Sequence, residues 1–526
     1  MAKKNKPINP TGRSWVIARK TVQYVSLTAF ILLFIMSRRD SGWAASLVNI
    51  PMRLDPLNVL THLISSRTFL VGSALALITI ILTVVFGRAW CGWICPLGTT
   101  LDLIPLDKAR GKRKPPVENW RKVKYILLIA ILTAALFGNL TLLTFDPLTL
   151  FFRTLTTAIW PVTDRVILFL ENLLFRVPFL SEPVANFDTF IRPAILPAAP
   201  AFFKDAFLFG LLFAGVIALN LFAERFWCRY LCPLGGLLGW ISKIAIFRRS
   251  VGEECPGCVL CDKACPTGTI DPANHYASDP AECTMCMDCL ETCPRTSITF
   301  NPKMPATLAQ PYDPSRREFL ATVGLSATAL VLAKSGMLSR REPPFLVRPP
   351  GVRESNPDVI SLDKCIRCSE CMRACPTNAI QPGVMETGVE GFGAPLIIPR
   401  LGYCDYSCNA CGQVCPTQAI PPLSLEQKRQ SIIGKAYINQ NRCIPWADGK
   451  PCIVCEEVCP LPEKAVLLLE RDSLGELTKA EAASSNGIKL PRVNRDLCIG
   501  CGICEYKCPL NGEAAIRVYT PNESVS

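Results

Sequence analysis

The sequence predicts two kinds of structure in one chain, a membrane α-helical bundle and a set of small α+β domains folded around metal. Three observations carry that prediction. Half of the 526 residues are hydrophobic and the mean hydropathy is +0.28, so part of the chain belongs in a bilayer. There are 28 cysteines, and disulfide frameworks on that scale belong to short secreted chains without a core, whereas this chain has long apolar spans; metal thiolate is the better reading. Only His62 and His275 are histidines and no Cys-x-x-Cys-His occurs, so no haem is expected. The formal charge of +13 comes from basic residues beside apolar spans, not from an aromatic-interleaved patch, and is read as membrane topology with no nucleic-acid partner.

The membrane elements come first. Lys3, Lys4, Lys6, Arg13, Arg19 and Lys20 precede the apolar segment Thr21–Met36 with no acidic residue among them, which places the N-terminus in the cytoplasm. No small-residue cleavage site follows; Arg38 and Arg39 do, so this is a span and not a removable leader. Further spans are expected at Phe69–Phe86, Tyr125–Leu143 and Ala206–Ala223. Between the second and third lie Lys108, Arg110, Lys112, Arg113, Lys114, Arg121, Lys122 and Lys124 against Asp107 and Glu118, which puts that loop inside. The stretch from Trp160 to Leu180 is apolar but broken by Asp164, Arg165, Glu171 and Arg176. It reads as an amphipathic helix on the outer surface, with another full span as the alternative.

This region repeats itself. Asp55-Pro-Leu precedes span two and Asp146-Pro-Leu precedes span four. Arg88-Ala-Trp-Cys91-Gly-Trp-Ile-Cys95-Pro-Leu-Gly follows the one, and Arg225-Phe-Trp-Cys228-Arg-Tyr-Leu-Cys232-Pro-Leu-Gly the other. Two helical hairpins, residues 16–98 and 121–236, would then form a pseudo-symmetric bundle. Aspartate before proline is a good helix cap; the sharper reading makes Asp55 or Asp146 a proton acceptor for a quinol at the outer surface. Cys91, Cys95, Cys228 and Cys232 are open to three readings: a further metal site, redox thiols able to form a disulfide, or structure alone. If a helix runs on through each pair, cysteines four apart share a face.

The metal domains follow. Cys255, Cys258, Cys261 and Cys265-Pro, then Cys283, Cys286, Cys289 and Cys293-Pro, have the bacterial ferredoxin spacing, in which three cysteines hold one [4Fe-4S] cluster and the fourth reaches the other. Cys293 is therefore grouped with the first three, and Cys265 with Cys283, Cys286 and Cys289. Zinc is the alternative for isolated Cys-x-x-Cys pairs, but a third cysteine at the same interval and a fourth before proline, twice over, favour clusters. Four more quartets lie beyond: Cys365, Cys368, Cys371, Cys375; Cys404, Cys408, Cys411, Cys415, with one extra residue in the first interval; Cys443, Cys452, Cys455, Cys459, with a long first interval; and Cys498, Cys501, Cys504, Cys508. The fold class is thus a membrane α-helical bundle, two repeated hairpins plus a fifth span, with α+β bacterial-ferredoxin-like domains carrying six [4Fe-4S] clusters. Six quartets take 24 of the 28 cysteines and the two hairpin pairs take the remaining four.

The hairpins with their Cys-x-x-x-Cys-Pro motifs and the first ferredoxin module, roughly residues 15 to 300, resemble the membrane ferredoxin family containing NapH, MauN and the membrane part of NosR. Ser315-Arg316-Arg317-Glu-Phe319-Leu320 and the apolar run to Ala333 resemble a twin-arginine export signal. That signal and the four quartets after it are similar to the exported ferredoxin family containing NapG and MauM, so the chain resembles a fusion of the two. The resemblance implies a quinol-dehydrogenase-like electron conduit. Its partners would be the membrane quinone pool, a periplasmic redox enzyme or cytochrome such as nitrate reductase, and a cytoplasmic electron donor. By analogy with four-cluster subunits it also implies that the first quartet interlocks with the last and the second with the third.

The expected order is a membrane domain to residue 247, a cytoplasmic two-cluster module at 248–302, and a linker with the arginine pair and a fifth span, Phe319–Ala333, at 303–337. A proline-rich spacer at 338–360 and a four-cluster domain at 361–526, in the periplasm of a bacterial-type inner membrane, complete it. Clusters are built in the cytoplasm, so a domain holding four of them must cross folded, which gives Arg316 and Arg317 a physical reason. The rivals are an assembly factor that handles metal at the hairpin thiols, and a cluster-bearing scaffold.

Overall fold

The computed structural model describes residues 9–37, 45–104, 120–195, 201–302, 315–334, 347–352, 362–384, 387–471, 477–479 and 488–520. The expectations resting on Lys3, Lys4, Lys6, Arg38, Arg39, the basic run from Lys108 to Lys114 with Asp107 and Glu118, and most of the spacer 338–360 lie outside these residues. The chain divides into two compact units: Met1–Met36 with Leu47–Leu155 and Phe207–Leu332, and Ser37–Ser46 with Thr156–Ala206 and Ala333–Ser526.

In the first unit one described helix, Pro10–Met36, is long and apolar enough to cross a bilayer by length and composition; its 27 residues reach about 40 Å. The sequence predicts four full spans and a fifth, and the other helices are shorter. Val71–Leu75 is a tight 3-10 turn leading into the helix Ala76–Phe86, which Gly87 stops with φ +66°. The helix Arg121–Leu136 ends at Phe137-Gly138, and Ala206–Ala218 tightens into a 3-10 turn at Leu219–Leu221. Arg316–Lys334 is a 19-residue helix. It begins with a reciprocal capping pair, Glu318 N–H to Ser315 Oγ and Ser315 N–H to Glu318 Oε2, both 3.2 Å.

Both halves of the repeat fold alike at their Asp-Pro corners. Asp55 accepts from the N–H groups of Leu57 (2.8 Å) and Asn58 (3.3 Å) at the head of the helix Pro56–Ser66. Asp146 does the same for Leu148 and Thr149 (both 3.0 Å) at the head of Pro147–Thr154. At the cysteine corners the condition of one helix running through each pair is not met. The helix Ala89–Trp93 stops short of Cys95, which caps the next helix, Pro96–Leu103; Cys228 lies in the π-turn Trp227–Leu231 and Cys232 caps Pro233–Ser242. Proline is the cause: its ring pushes the preceding residue to extended backbone, and Cys95 and Cys232 have ψ of 121° and 112°.

The first ferredoxin module closes the unit. Its outer strands, Phe247–Val251 and Ile298–Pro302, pair antiparallel, with Phe247 opposite Pro302 and Val251 opposite Ile298. Between them, Cys261, Ile270, Cys289, Cys293 and Ile298 form a small core.

The second unit is built on three small antiparallel sheets: Lys435–Ile438 with Ile516–Tyr519, Val466–Arg471 between Leu490–Val493 and Leu477–Lys479, and Ile380–Pro382 with Pro395–Ile397. Its core includes Phe203 beside Val347, Met372, Ile380, Val466 and Ile516, so the segment following the third expected span packs with the C-terminal quartets. In that segment the helix Trp160–Leu174 buries Asp164 and Glu171 and exposes Val162, Val166, Phe169 and Leu173. Its outer face is apolar, as on a helix lying against lipid.

Candidate iron–sulfur centres

Each quartet with standard spacing is a tight loop followed by one turn of helix. The residues on either side of the second cysteine are left-handed: Gly257 and Val259, Met285 and Met287, Arg367 and Ser369, Gly500 and Gly502. For residues other than glycine that conformation costs about 1–2 kcal/mol each. It recurs because alternating backbone handedness turns successive N–H groups to one side, the arrangement that holds an anion. The two quartets with a lengthened first interval do without it: Asn409 and Ile453, which follow their second cysteines, have φ of −131° and −122°. At the other end of the motif proline again sets the backbone. Cys265, Cys293, Cys375 and Cys508 are extended, with ψ between 112° and 124°, which ends the short helix and turns the fourth sulfur away from the other three.

Where that fourth sulfur goes is visible in its neighbours. In the first module the helices Leu260–Ala264 and Asp288–Thr292 pack side by side, and Cys265 interacts with Cys283, Cys286 and Cys289, the expected cross-pairing. Cys293 shares a core with Cys261, which faces Cys255 and Cys258.

In the second unit the cross-pairing differs from the expected interlocking of first with last and second with third. Cys415 lies with Cys365, Cys368 and Cys371, and Cys375 with Cys404, Cys408 and Cys411. Cys508 lies with Cys443, Cys452 and Cys455, and Cys459 with Cys498 and Cys501. The physical reason is local closure. The helices Glu370–Ala374 and Ala410–Gln413 pack together, and the strands Val466–Arg471 and Leu490–Val493 fold the fourth quartet back on the third; nearer partners cost less loop entropy. The two pairs meet where Cys404 N–H donates to the Cys501 carbonyl at 2.8 Å and Tyr403 packs on Tyr506, ring centroids 5.4 Å apart.

The rings fit a cluster. Cys443, Cys452, Cys455 and Cys508 line one pocket with Ile438, Pro445, Pro491 and Ile516. Burial pushes the thiols of Cys404 and Cys443 up to about 11 and those of Cys455 and Cys501 to about 12, so these sulfurs become thiolates only when a cationic core holds them.

Three threonines beside cluster sulfurs escaped the sequence reading. Thr267 places its hydroxyl 3.5 Å from Cys265 Sγ and Thr417 lies 3.9 Å from Cys415 Sγ, whereas Thr377, 3.5 Å from Cys375 Sγ, gives its hydroxyl proton to the Tyr403 carbonyl at 2.5 Å. Their signal was present as Cys-Pro-Thr, three times over. A hydroxyl donating to a cluster sulfur raises its potential.

The first module is held by buried charge. Arg88 donates to the Ala281 carbonyl (3.0 Å) and to Glu282 (3.2 Å), Lys124 reaches both Glu282 oxygens at 2.5 Å, and Arg19 pairs with Asp288 at 3.1 Å. Burial alone would raise the Glu282 carboxyl; Lys124 and Arg88 overcome it and hold the carboxyl below its usual value. Gly92 allows the close approach, because a Cβ there would stand 2.1 Å from the Thr284 carbonyl oxygen.

Known proteins resemble this chain in both parts. The family described as 4Fe-4S binding domain matches residues 68–116 and 205–252, and two further families of the same description match residues 358–381 and 490–516. The methylamine utilization ferredoxin-type protein MauM of Methylorubrum extorquens is 31% identical over 223 residues, 40% of this chain and 91% of MauM. The ferredoxin-type protein NapG of Escherichia coli K12 is 30% identical over 209 residues, 39% of this chain and 84% of NapG. The chain belongs to the MauM/NapG family of ferredoxin-type proteins. Protein NirI of Paracoccus denitrificans is 32% identical over 241 residues, 44% of this chain, which spans 28% of NirI. No solved structure matches. As a member of this family the chain is an iron–sulfur electron-transfer protein carrying [4Fe-4S] clusters.

Proposed function

We propose that the protein takes electrons from a membrane quinol and delivers them, through a C-terminal relay of four clusters, to a redox enzyme outside the cytoplasm, a nitrate reductase being the leading candidate. One observation carries the reading. The four C-terminal quartets pair in sequence and the two pairs abut at Cys404 and Cys501, so their clusters would form one unbroken file. In this reading the file runs from the cluster of Cys365, Cys368, Cys371 and Cys415 to that of Cys404, Cys408, Cys411 and Cys375. It continues to the cluster of Cys498, Cys501, Cys504 and Cys459 and ends at that of Cys443, Cys452, Cys455 and Cys508. Two more clusters take Cys255, Cys258, Cys261 and Cys293, and Cys283, Cys286, Cys289 and Cys265.

Topology is supported from two sides. Lys122, in the loop assigned to the cytoplasm, pairs with Glu318 at 3.2 Å, so the twin-arginine helix begins on that side and runs outward. The segment Thr156–Ala206, assigned to the outer side, binds the first C-terminal quartet: Arg373 stacks on Trp160 at 4.7 Å, and Asn378 and Gln381 donate to the Phe202 carbonyl. A five-span bundle with the C-terminal quartets outside accounts for both contacts.

Asp55 and Asp146 are the candidate acids for the quinol protons. Both are fully buried; each uses one oxygen as a helix cap, and Asp55 faces Asp146 closely enough to interact. Burial, then the neighbouring carboxylate, raises Asp55, and burial raises Asp146, so the pair favours holding a proton.

The test is anaerobic addition of menaquinol or ubiquinol to the purified full chain in liposomes, followed by absorbance and electron paramagnetic resonance of the clusters. Reduction by quinol is expected. Clusters that no quinol reduces, at potentials outside the quinone range, would refute the reading and favour an assembly role.

A further inference from the structure

The third and fourth C-terminal quartets are two copies of one unit, and their matched bonds show where the copies differ. Four residues before the first cysteine each has an asparagine, Asn439 before Cys443 and Asn494 before Cys498. The two asparagine N–H groups donate at 2.7 Å to the Ala515 and Ala465 carbonyls, and their own carbonyls accept from Cys443 and Cys498 at 3.1 and 3.2 Å. Each asparagine side chain accepts the N–H two residues on, from Asn441 and from Asp496, at 3.1 Å. The far ends match as well. Lys464 donates to the Cys459 carbonyl at 2.9 Å and to those of Glu456 and Glu457, and Arg400 donates to the Cys508 and Glu505 carbonyls at 3.1 and 3.0 Å. A cation at one fourth cysteine is answered by a cation at the other. Glu456 after Cys455 is likewise answered by Glu505 after Cys504.

Eight and seven residues before the first cysteine the match fails. Lys435-Ala436 precedes Cys443, and Leu490-Pro491 precedes Cys498. Each dipeptide opens a strand that lies on the other quartet, so the difference falls at the clusters. Lys435 Nζ donates to the Cys498 carbonyl at 2.9 Å and to the Arg495 carbonyl at 2.6 Å, and the buried Ala436 N–H donates to Cys498 Sγ at 3.4 Å. The approach is tight: Ile433 N–H donates to the Ile499 carbonyl at 3.0 Å, and a Cβ on Gly500 would stand 2.4 Å from Gly434. Lys435 forms no ion pair among the described residues. On the other quartet Trp446 Nε1 donates to the Pro491 carbonyl at 3.0 Å, and Pro491 lines the pocket with Cys443. Buried Leu490 brings no charge there, and proline has no N–H to give the sulfur. Each quartet also has one exposed arginine nearby, Arg442 and Arg495, whose charge solvent screens.

Within the file of clusters proposed above, we infer that Lys435 and the Ala436 N–H set a potential step. They hold the cluster of Cys498, Cys501, Cys504 and Cys459 above its partner, the cluster of Cys443, Cys452, Cys455 and Cys508. A donor to sulfur and a fixed positive charge both favour the reduced core, which carries one more negative charge. An electron shared by the two clusters therefore rests on the first, and the terminal cluster fills last. One electron leaves the terminal core, which goes from 1+ to 2+, and enters its neighbour, which goes from 2+ to 1+; no bond or proton changes. The outward step is uphill and is completed when a redox partner withdraws the electron. This step rests on the ring assignment above and is independent of quinol as the donor.

The experiment is a dithionite titration of the full chain, purified without oxygen, with the clusters followed by electron paramagnetic resonance. No quinol is present, so failure of quinol reduction cannot be mistaken for failure here. K435Q keeps a side chain able to bond both carbonyls and removes the charge; it should move one midpoint to lower potential with iron and sulfide content unchanged. K435R keeps the charge and should hold that midpoint near its native value. P491A supplies the N–H that the partner quartet lacks and should raise a different midpoint. A lysine that only ties the strand to the loop would leave every midpoint in place. Unmoved midpoints in K435Q at full iron content, or an equal shift in K435R, overturn the inference. Should K435Q lose iron, P491A decides alone: a raised midpoint upholds the step, and an unmoved one overturns it.

Discussion

The two ferredoxin regions are built from the same motif and secured by different physics. The first module rests on its hairpins through desolvated charge, with Arg88, Lys124 and Glu282 almost wholly buried. The C-terminal region is held by an apolar core, with Val347, Ile380, Val466, Ile516 and Val518 among its members, and by quartets that exchange their fourth cysteines in sequence. A buried ion pair adds little net stability but fixes geometry, since any displacement strands a charge. An apolar core stabilises without fixing a single partner so strictly.

That contrast can be broken first at Glu282. Glu282→Ala leaves Arg88 and Lys124 buried without their partner and should cost about 3–5 kcal/mol in the first unit. The C-terminal signals should be untouched, with cluster loss on mild heating as the readout. Ile516→Ala, in the C-terminal core, should cost about 2–5 kcal/mol and release only C-terminal clusters. Acid should separate the regions as well. The Glu282 carboxyl is lower in the fold than the usual 4.5, so its stabilisation is complete above that value and is lost as pH falls through the lower folded value. The first module should therefore loosen below about pH 4.5 in hydrogen exchange. Asp55→Asn keeps a cap, since asparagine serves there nearly as well. It should leave every cluster in place while slowing quinol-dependent reduction. The smallest effect is expected from Thr417→Val, which removes the hydroxyl beside Cys415 Sγ and should lower one C-terminal midpoint potential without altering iron content.

Much of the site was legible because a cysteine spacing encodes a local turn. Cys283 to Cys289 fold as their intervals require, and the proline after each fourth cysteine extends it toward a second ring. Asp55 and Asp146 cap helices because aspartate before proline does so in almost any context. The condition that a helix runs on through each hairpin pair is not met, because the same proline that extends the ferredoxin cysteines also ends the helix at Cys95 and Cys232. The tuning threonines were missed because a hydroxyl two residues after a cysteine matters only once the chain has turned back on the sulfur.

The sequence by itself determined which cysteines fall at ferredoxin spacing, where each of those loops turns and where the Asp-Pro helices begin, since those are consequences of spacing, proline and capping within a few residues. Tertiary structure alone decided which quartets exchange their fourth cysteine and that Thr156–Ala206 packs with the C-terminal region. Those choices join residues far apart in the chain. They are settled by the balance of loop entropy against burial and charge pairing, which no single motif contains.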